Sequence, residues 1–109
     1  MTKNRILVTD MLKINTKEQE QSITVFLEGR LDSNTAIDLD SRLKELPQTP
    51  LLILDFEKLV YVSSAGLRVL LSALKRANAT ESQLKLIHVV EDVMEILDIT
   101  GFVDILTIE

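Results

Sequence analysis

The chain has 109 residues and 12.3 kDa, with 46% hydrophobic and 27% charged residues, enough apolar material for one packed domain over residues 1–109 and too little length for two. A net charge of −5 and a pI near 4.9 have the wrong sign for a phosphate backbone or an anionic bilayer, so neither nucleic acid nor a membrane surface is an expected partner. With no cysteine and one histidine, thiolate zinc sites, disulfide frameworks and thiol nucleophiles are excluded, and no cofactor or metal is implied.

The opening stretch Met1–Asp10 lacks the apolar core of a signal peptide, because Thr9 and Asp10 interrupt it. The longest apolar runs, Leu51–Leu54 and Leu59–Val62, fall far short of the roughly 20 residues of a membrane helix. A cytoplasmic location is expected. Ile6–Val8 and Lys13–Asn15 are weakly strand-like, and the polar stretch Thr16–Gln21 reads as a turn. In Ser22–Glu28, Ile23, Val25 and Leu27 alternate with Thr24, Phe26 and Glu28, the period of a strand, so a hairpin is expected, broken at Gly29. Leu31–Thr35 supplies several candidate caps ahead of Ala36, Leu39, Leu43 and Leu46, spaced as the inner face of a helix that Pro47 ends.

After Pro50, Leu51–Leu54 shows no alternation, which predicts a central strand covered on both faces and ending at Asp55. A polar link and the run Leu59–Val62 lead to Ser63 and Ser64, and apolar residues at 67, 70, 71 and 74 predict a helix from about Ala65 to Ala79. Leu84–Val90 reads as a strand, Glu91–Thr100 as a helix capped by Gly101, and Ile105–Ile108 as a last strand. The order β-β-α-β-α-β-α-β predicts an α/β domain with a mostly parallel sheet, right-handed crossovers and an antiparallel N-terminal strand.

Several chemical readings fail on their own requirements. His88 lies inside a predicted strand, where a structural or exposed histidine is expected rather than a general base. Val62-Ser63-Ser64-Ala65-Gly66 matches half of a nucleophile elbow, with Val62 where the first glycine must relieve the turn. Ser72-Ala73-Leu74-Lys75 has the S-x-x-K spacing of penicillin-recognising enzymes and falls mid-helix, without the companion elements. Asp32, Asp38 and Asp40 suit a solvated helix start, whose positive end carboxylates offset, better than a metal site. A phospho-accepting receiver would use Asp10 and Asp55, but it needs a helix after its first strand and a lysine after its last, and neither is here.

The strongest local signal is Tyr61-Val62-Ser63-Ser64-Ala65-Gly66-Leu67-Arg68, a hydroxyl pair at a helix start with a glycine that permits close backbone approach. Together with Gly29-Arg30-Leu31-Asp32, Leu52-Ile53-Leu54-Asp55 and Val93 to Phe102, it resembles bacterial STAS domains, specifically the stand-alone anti-sigma-factor antagonists, over residues 5 to 109. The resemblance implies a binding module that is its partner's substrate and not an enzyme. The partner it implies is an anti-sigma factor that is also a serine kinase of the histidine-kinase-like ATPase fold, with a phosphoserine phosphatase as a further candidate. The resemblance implies that the unphosphorylated protein binds this anti-sigma factor and so frees the sigma factor, and that phosphorylation breaks the complex.

The family's D-S-S-G motif falls on Ser63-Ser64-Ala65-Gly66, which makes Ser64 the implied phosphoacceptor, with Ser63 the second choice. The implied partner-facing set is Asp32, Ser63, Ser64, Gly66 and Arg68. Ser63 stands where the family has an aspartate, and the usual last helix is missing or vestigial after Ile108. The same fold also serves as a scaffold, or as a soluble subunit of a bacterial lipid transporter or sensory assembly, without a phospho-switch.

Overall fold

In a computed structural model, residues 12–109 are described. They form β1 (Lys13–Glu18), β2 (Ser22–Leu31), α1 (Thr35–Glu45), β3 (Leu51–Val62), α2 (Ser64–Ala79), β4 (Gln83–Ile87), α3 (Glu91–Ile99), a 3-10 turn (Phe102–Asp104) and β5 (Thr107–Ile108). The sheet runs β1-β2-β3-β4-β5, with β1 antiparallel to β2 and the remaining pairs parallel. This is the predicted α/β order with a mixed, mostly parallel sheet. The expected strand at Ile6–Val8 lies outside the described residues.

The hairpin forms, but Lys13–Glu18 is strand throughout, and the turn shrinks to Gln19–Gln21. Thr16, Lys17 and Glu18 pair with Val25, Thr24 and Ile23, so backbone pairing to an apolar strand overrides their polar side chains. On β2, Ile23, Val25 and Leu27 are each no more than 2% exposed. The strand does not stop at Gly29: it continues to Leu31, with Gly29 at φ 117° beside a slip in the β2–β3 register.

β3 differs most from expectation. Instead of a strand ending at Asp55 and a polar link, Leu51–Val62 is one strand of 12 residues. Its register against β2 slips between Phe26 and Glu28 and again between Gly29 and Arg30. The slips let Phe56 and Leu59, three apart, both reach full burial while Glu57 and Lys58 stay exposed. Strand alternation cannot predict that spacing.

The core lies on one face of the sheet. Ile23, Val25, Leu27 and Leu31 of β2, Leu54, Phe56, Leu59 and Val62 of β3 and Leu84 and Leu86 of β4 form one cluster with Leu39 and Leu43 of α1, Leu67 and Leu70 of α2, and Val93 and Leu97 of α3. Successive right-handed crossovers between adjacent parallel strands, all stepping the same way, put their helices on the same side. The expected double cover of Leu51–Leu54 is therefore corrected: Ile53 is half-buried and Phe26 is 40% exposed on the opposite face.

The smaller boundary differences have local causes. α1 ends at Leu46 in extended conformation because Pro47 follows. β4 stops at Ile87, since His88 takes a left-handed φ of 57°. α3 ends at Ile99, and Gly101, at φ 82°, closes it as expected. The last strand is confined to Thr107 and Ile108, because the 3-10 turn and its closing bonds occupy the residues up to Leu106.

Candidate functional site

All the parallel strands present their C-terminal ends at one edge, where ligand and partner sites of α/β folds gather. There Leu31 leads into Asp32, and Val62 leads into Ser63. The Ser63 N–H donates to the Leu31 carbonyl at 2.8 Å, tying the ends of β2 and β3 together. A Cβ placed on Gly66 would come within 2.7 Å of Leu31 Cγ and 3.1 Å of Leu31 O, so α2 starts in direct contact with the chain that carries Asp32. Gly66 is buried and offers the surface no side chain. Its part is to let the helix approach.

Asp32 organises its own loop. Its Oδ1 accepts from the N–H groups of Asn34 and Thr35, both at 3.0 Å, while its own N–H donates to Thr35 Oγ1 at 2.9 Å. The Thr35 hydroxyl donates to the Arg30 carbonyl at 2.7 Å. The N–H of Thr35, followed by that of Asn34, the Thr35 hydroxyl and the positive charge of Arg30, outweighs partial desolvation and holds the Asp32 carboxyl below the ordinary carboxylate range. Asp32 therefore does the capping work at α1, and the N-cap residue Asn34 makes no side-chain bond.

The two serines are not equivalent. Ser63 Oγ accepts from the Gly66 N–H at 3.2 Å and is the N-cap of α2. Ser64, the first helical residue, is exposed, and its hydroxyl makes no hydrogen bond among the described residues. Arg68 is exposed on the next turn of the same helix. At the end of the β2–β3 pair, the Arg30 guanidinium stacks 4.3 Å from the centroid of Tyr61, whose neighbour Val60 is 59% exposed. The fold thus brings Asp32, Ser63 and Ser64 to one edge, with Gly66 buried at the helix start and Arg68 exposed one turn further along α2.

The STAS domain family model matches residues 13–109. The chain belongs to that family. This STAS domain is 28% identical over 101 residues to the anti-sigma-B factor antagonist of Listeria monocytogenes, covering 90% of this chain and 89% of that protein. Among solved structures, its fold is like that of an anti-sigma factor antagonist from Mycobacterium paratuberculosis, with a TM-score of 0.83 at 17% identity over 91% of this chain and 86% of that one. It is also like the Bacillus cell fate determinant SpoIIAA in the phosphorylated form, with a TM-score of 0.70 at 14% identity over 89% and 91% of the two chains. Among the described residues, no helix of the STAS domain is long and apolar enough to cross a membrane.

The sequence placed Thr35 among the candidate caps but not its bonds to Asp32 and Arg30, and it gave no sign of the Arg30–Tyr61 stack. Asp32 and Thr35 are both residue types that bond backbone groups at a helix start, which is the signal the sequence carried. The stack was not legible, because Arg30 meets Tyr61 only through a slipped register. A third group sits apart from this edge: Asp55, 7% exposed, accepts from the Glu57 N–H at 3.0 Å and lies 3.1 Å from His88 Nδ1. Asp55, Glu57 and His88 offer ligand atoms within 4.8 Å of one another. The Asp55–His88 contact ties the start of the loop leading to α3 onto β3, a structural use of the lone histidine.

Proposed function

We propose that this STAS domain is an anti-sigma-factor antagonist, a regulatory binding protein of the cytoplasm. Unphosphorylated, it binds an anti-sigma factor of the kinase-like ATPase fold through the edge formed by Asp32, Ser63, Ser64 and Arg68. Phosphorylation of Ser64 releases it, and a phosphoserine phosphatase resets it. The observation that carries this reading is the free, exposed hydroxyl of Ser64 beside the capping hydroxyl of Ser63. An acceptor must bring its oxygen to the γ-phosphorus of ATP, and only Ser64 does so without giving up a helix cap.

In the transfer, Ser64 Oγ forms a bond to the γ-phosphorus, and the bond from that phosphorus to the β,γ-bridging oxygen breaks. ADP departs, and the hydroxyl proton passes to a base of the kinase. The product carries roughly −1.5 to −2 charges at a helix N-terminus, which tolerates an anion, so the domain stays folded. Release comes from the interface. A hydrated dianion against a surface shaped for a neutral hydroxyl costs desolvation and repulsion.

The test is incubation with the cognate kinase and ATP, followed by peptide mass spectrometry. One phosphoryl group on Ser64, absent in Ser64→Ala, is expected. Modification that persists in Ser64→Ala and disappears in Ser63→Ala would move the acceptor by one residue. Ser64→Asp is expected to keep its circular dichroism spectrum and bind the partner at least about tenfold more weakly, or about 1.4 kcal/mol. Wild-type affinity in that variant would overturn the release mechanism.

A further inference from the structure

The 16 residues of α2 contain Arg68, Lys75 and Arg76 and no acid, in a chain whose net charge is −5. Its first turn has none of the Asp or Glu residues that usually offset the positive end of a helix. Arg68 is exposed and pairs with no carboxylate among the described residues. It stands four residues after Ser64, where side chains share a helix face with Cβ atoms about 5–6 Å apart. An anion placed four residues N-terminal to a cation is the favourable order of such a pair.

We infer that Arg68 is the intramolecular counter-ion of a phosphate on Ser64, so that phosphorylation withdraws this guanidinium from the partner-facing edge as well as adding negative charge there. The inference rests on Ser64 being the phosphoacceptor. The other cations are worse placed. Arg30 is stacked on Tyr61, Arg76 donates to Ser72 at 3.2 Å, and Lys75 lies three turns along the helix from Ser64. Asp32 on the neighbouring loop carries like charge and disfavours that side for the phosphate. A guanidinium binds two phosphate oxygens at once through its planar fork, which an ammonium cannot do. In the unphosphorylated protein, Arg68 is free to meet an acidic group of the partner; once paired, it is not.

The experiment uses the full chain carrying phosphoserine at position 64, installed by genetic incorporation and titrated by phosphorus NMR. The second ionisation of the phosphate, ordinarily near pH 6, is expected at least about 0.5 pH unit lower in this protein than in its Arg68→Gln variant, with Arg68→Lys between them. Arg30→Gln is expected to leave the titration unchanged. Coincident curves for the parent and Arg68→Gln, or a shift that follows Arg30 instead, overturn the inference. Because no kinase is needed to install the phosphate, a failed kinase reaction bears on the proposed function alone, while coincident curves leave Ser64 as the acceptor and remove only the pairing with Arg68.

Discussion

Asp32 carries two demands in one side chain. Its carboxylate caps α1 through Asn34 and Thr35, and the same group stands at the edge proposed to meet the partner. Because its pKa is lowered on folding, the carboxylate stabilises the native state above its ordinary value near 4, and that contribution is lost as pH falls through the lower folded value. Asp32→Ala is therefore expected to cost about 1 kcal/mol at neutral pH, with the gap to the parent closing below about pH 4. Chemical denaturation across that range checks it. A gap that is the same at about pH 7 and about pH 3 would show that the carboxylate does not act through its charge.

The elements meet at the edge because α2 docks without a side chain at its third residue. Gly66 lies against Leu31 and its carbonyl, so the first turn of α2 rests on the end of β2. Gly66→Ala must displace either the Leu31 side chain or the helix start, and overpacking of this kind typically costs about 1–3 kcal/mol. The loss is expected in thermal unfolding, together with weaker partner binding, since the Ser63–Leu31 link at 2.8 Å moves with the helix. If Gly66→Ala melts and binds like the parent, the close approach does not position the site. Pairing across a slipped register makes the same point for β3, where Phe56 and Leu59 reach the core only because Glu57 and Lys58 share the outward turn of the strand.

At the scale of the molecule, the radius of gyration is 13.7 Å, against about 13 Å expected of a compact chain of this length. Charge is uneven. Residues 86–109 carry Glu91, Asp92, Glu95, Asp98, Asp104 and Glu109 and no lysine or arginine, whereas α2 is wholly basic. The core is shared by all three described helices and the strands between them, with Phe56, Leu70 and Leu97 each fully buried in one cluster. Phe56→Ala and Leu97→Ala, on β3 and α3, are expected to destabilise by about 2–5 kcal/mol each and to shift a single unfolding transition seen alike by circular dichroism and tyrosine fluorescence. Separate transitions by the two probes would divide the molecule into independent units.

The order of strands and helices, the hairpin, the caps at Ser63 and Gly101 and the motif around Ser64 were legible in the sequence, because hydrophobic period, cap chemistry and turn residues act over a few neighbouring positions. The length of β3, the passage of β2 through Gly29 and the one-sided cover of the sheet were not. They depend on register between strands distant in the chain, where a slip of one residue decides which side chains are buried. The same holds for the edge itself. Sequence could name Asp32, Ser63, Ser64, Gly66 and Arg68 and place a serine cap at the start of α2, but it could not tell that Gly66 is a buried contact or which of the two serines is the cap. Packing of α2 against the end of β2 decided the role of Gly66, because a Cβ there would meet the Leu31 side chain and carbonyl, while the choice of cap was decided by which serine hydroxyl the Gly66 N–H reaches.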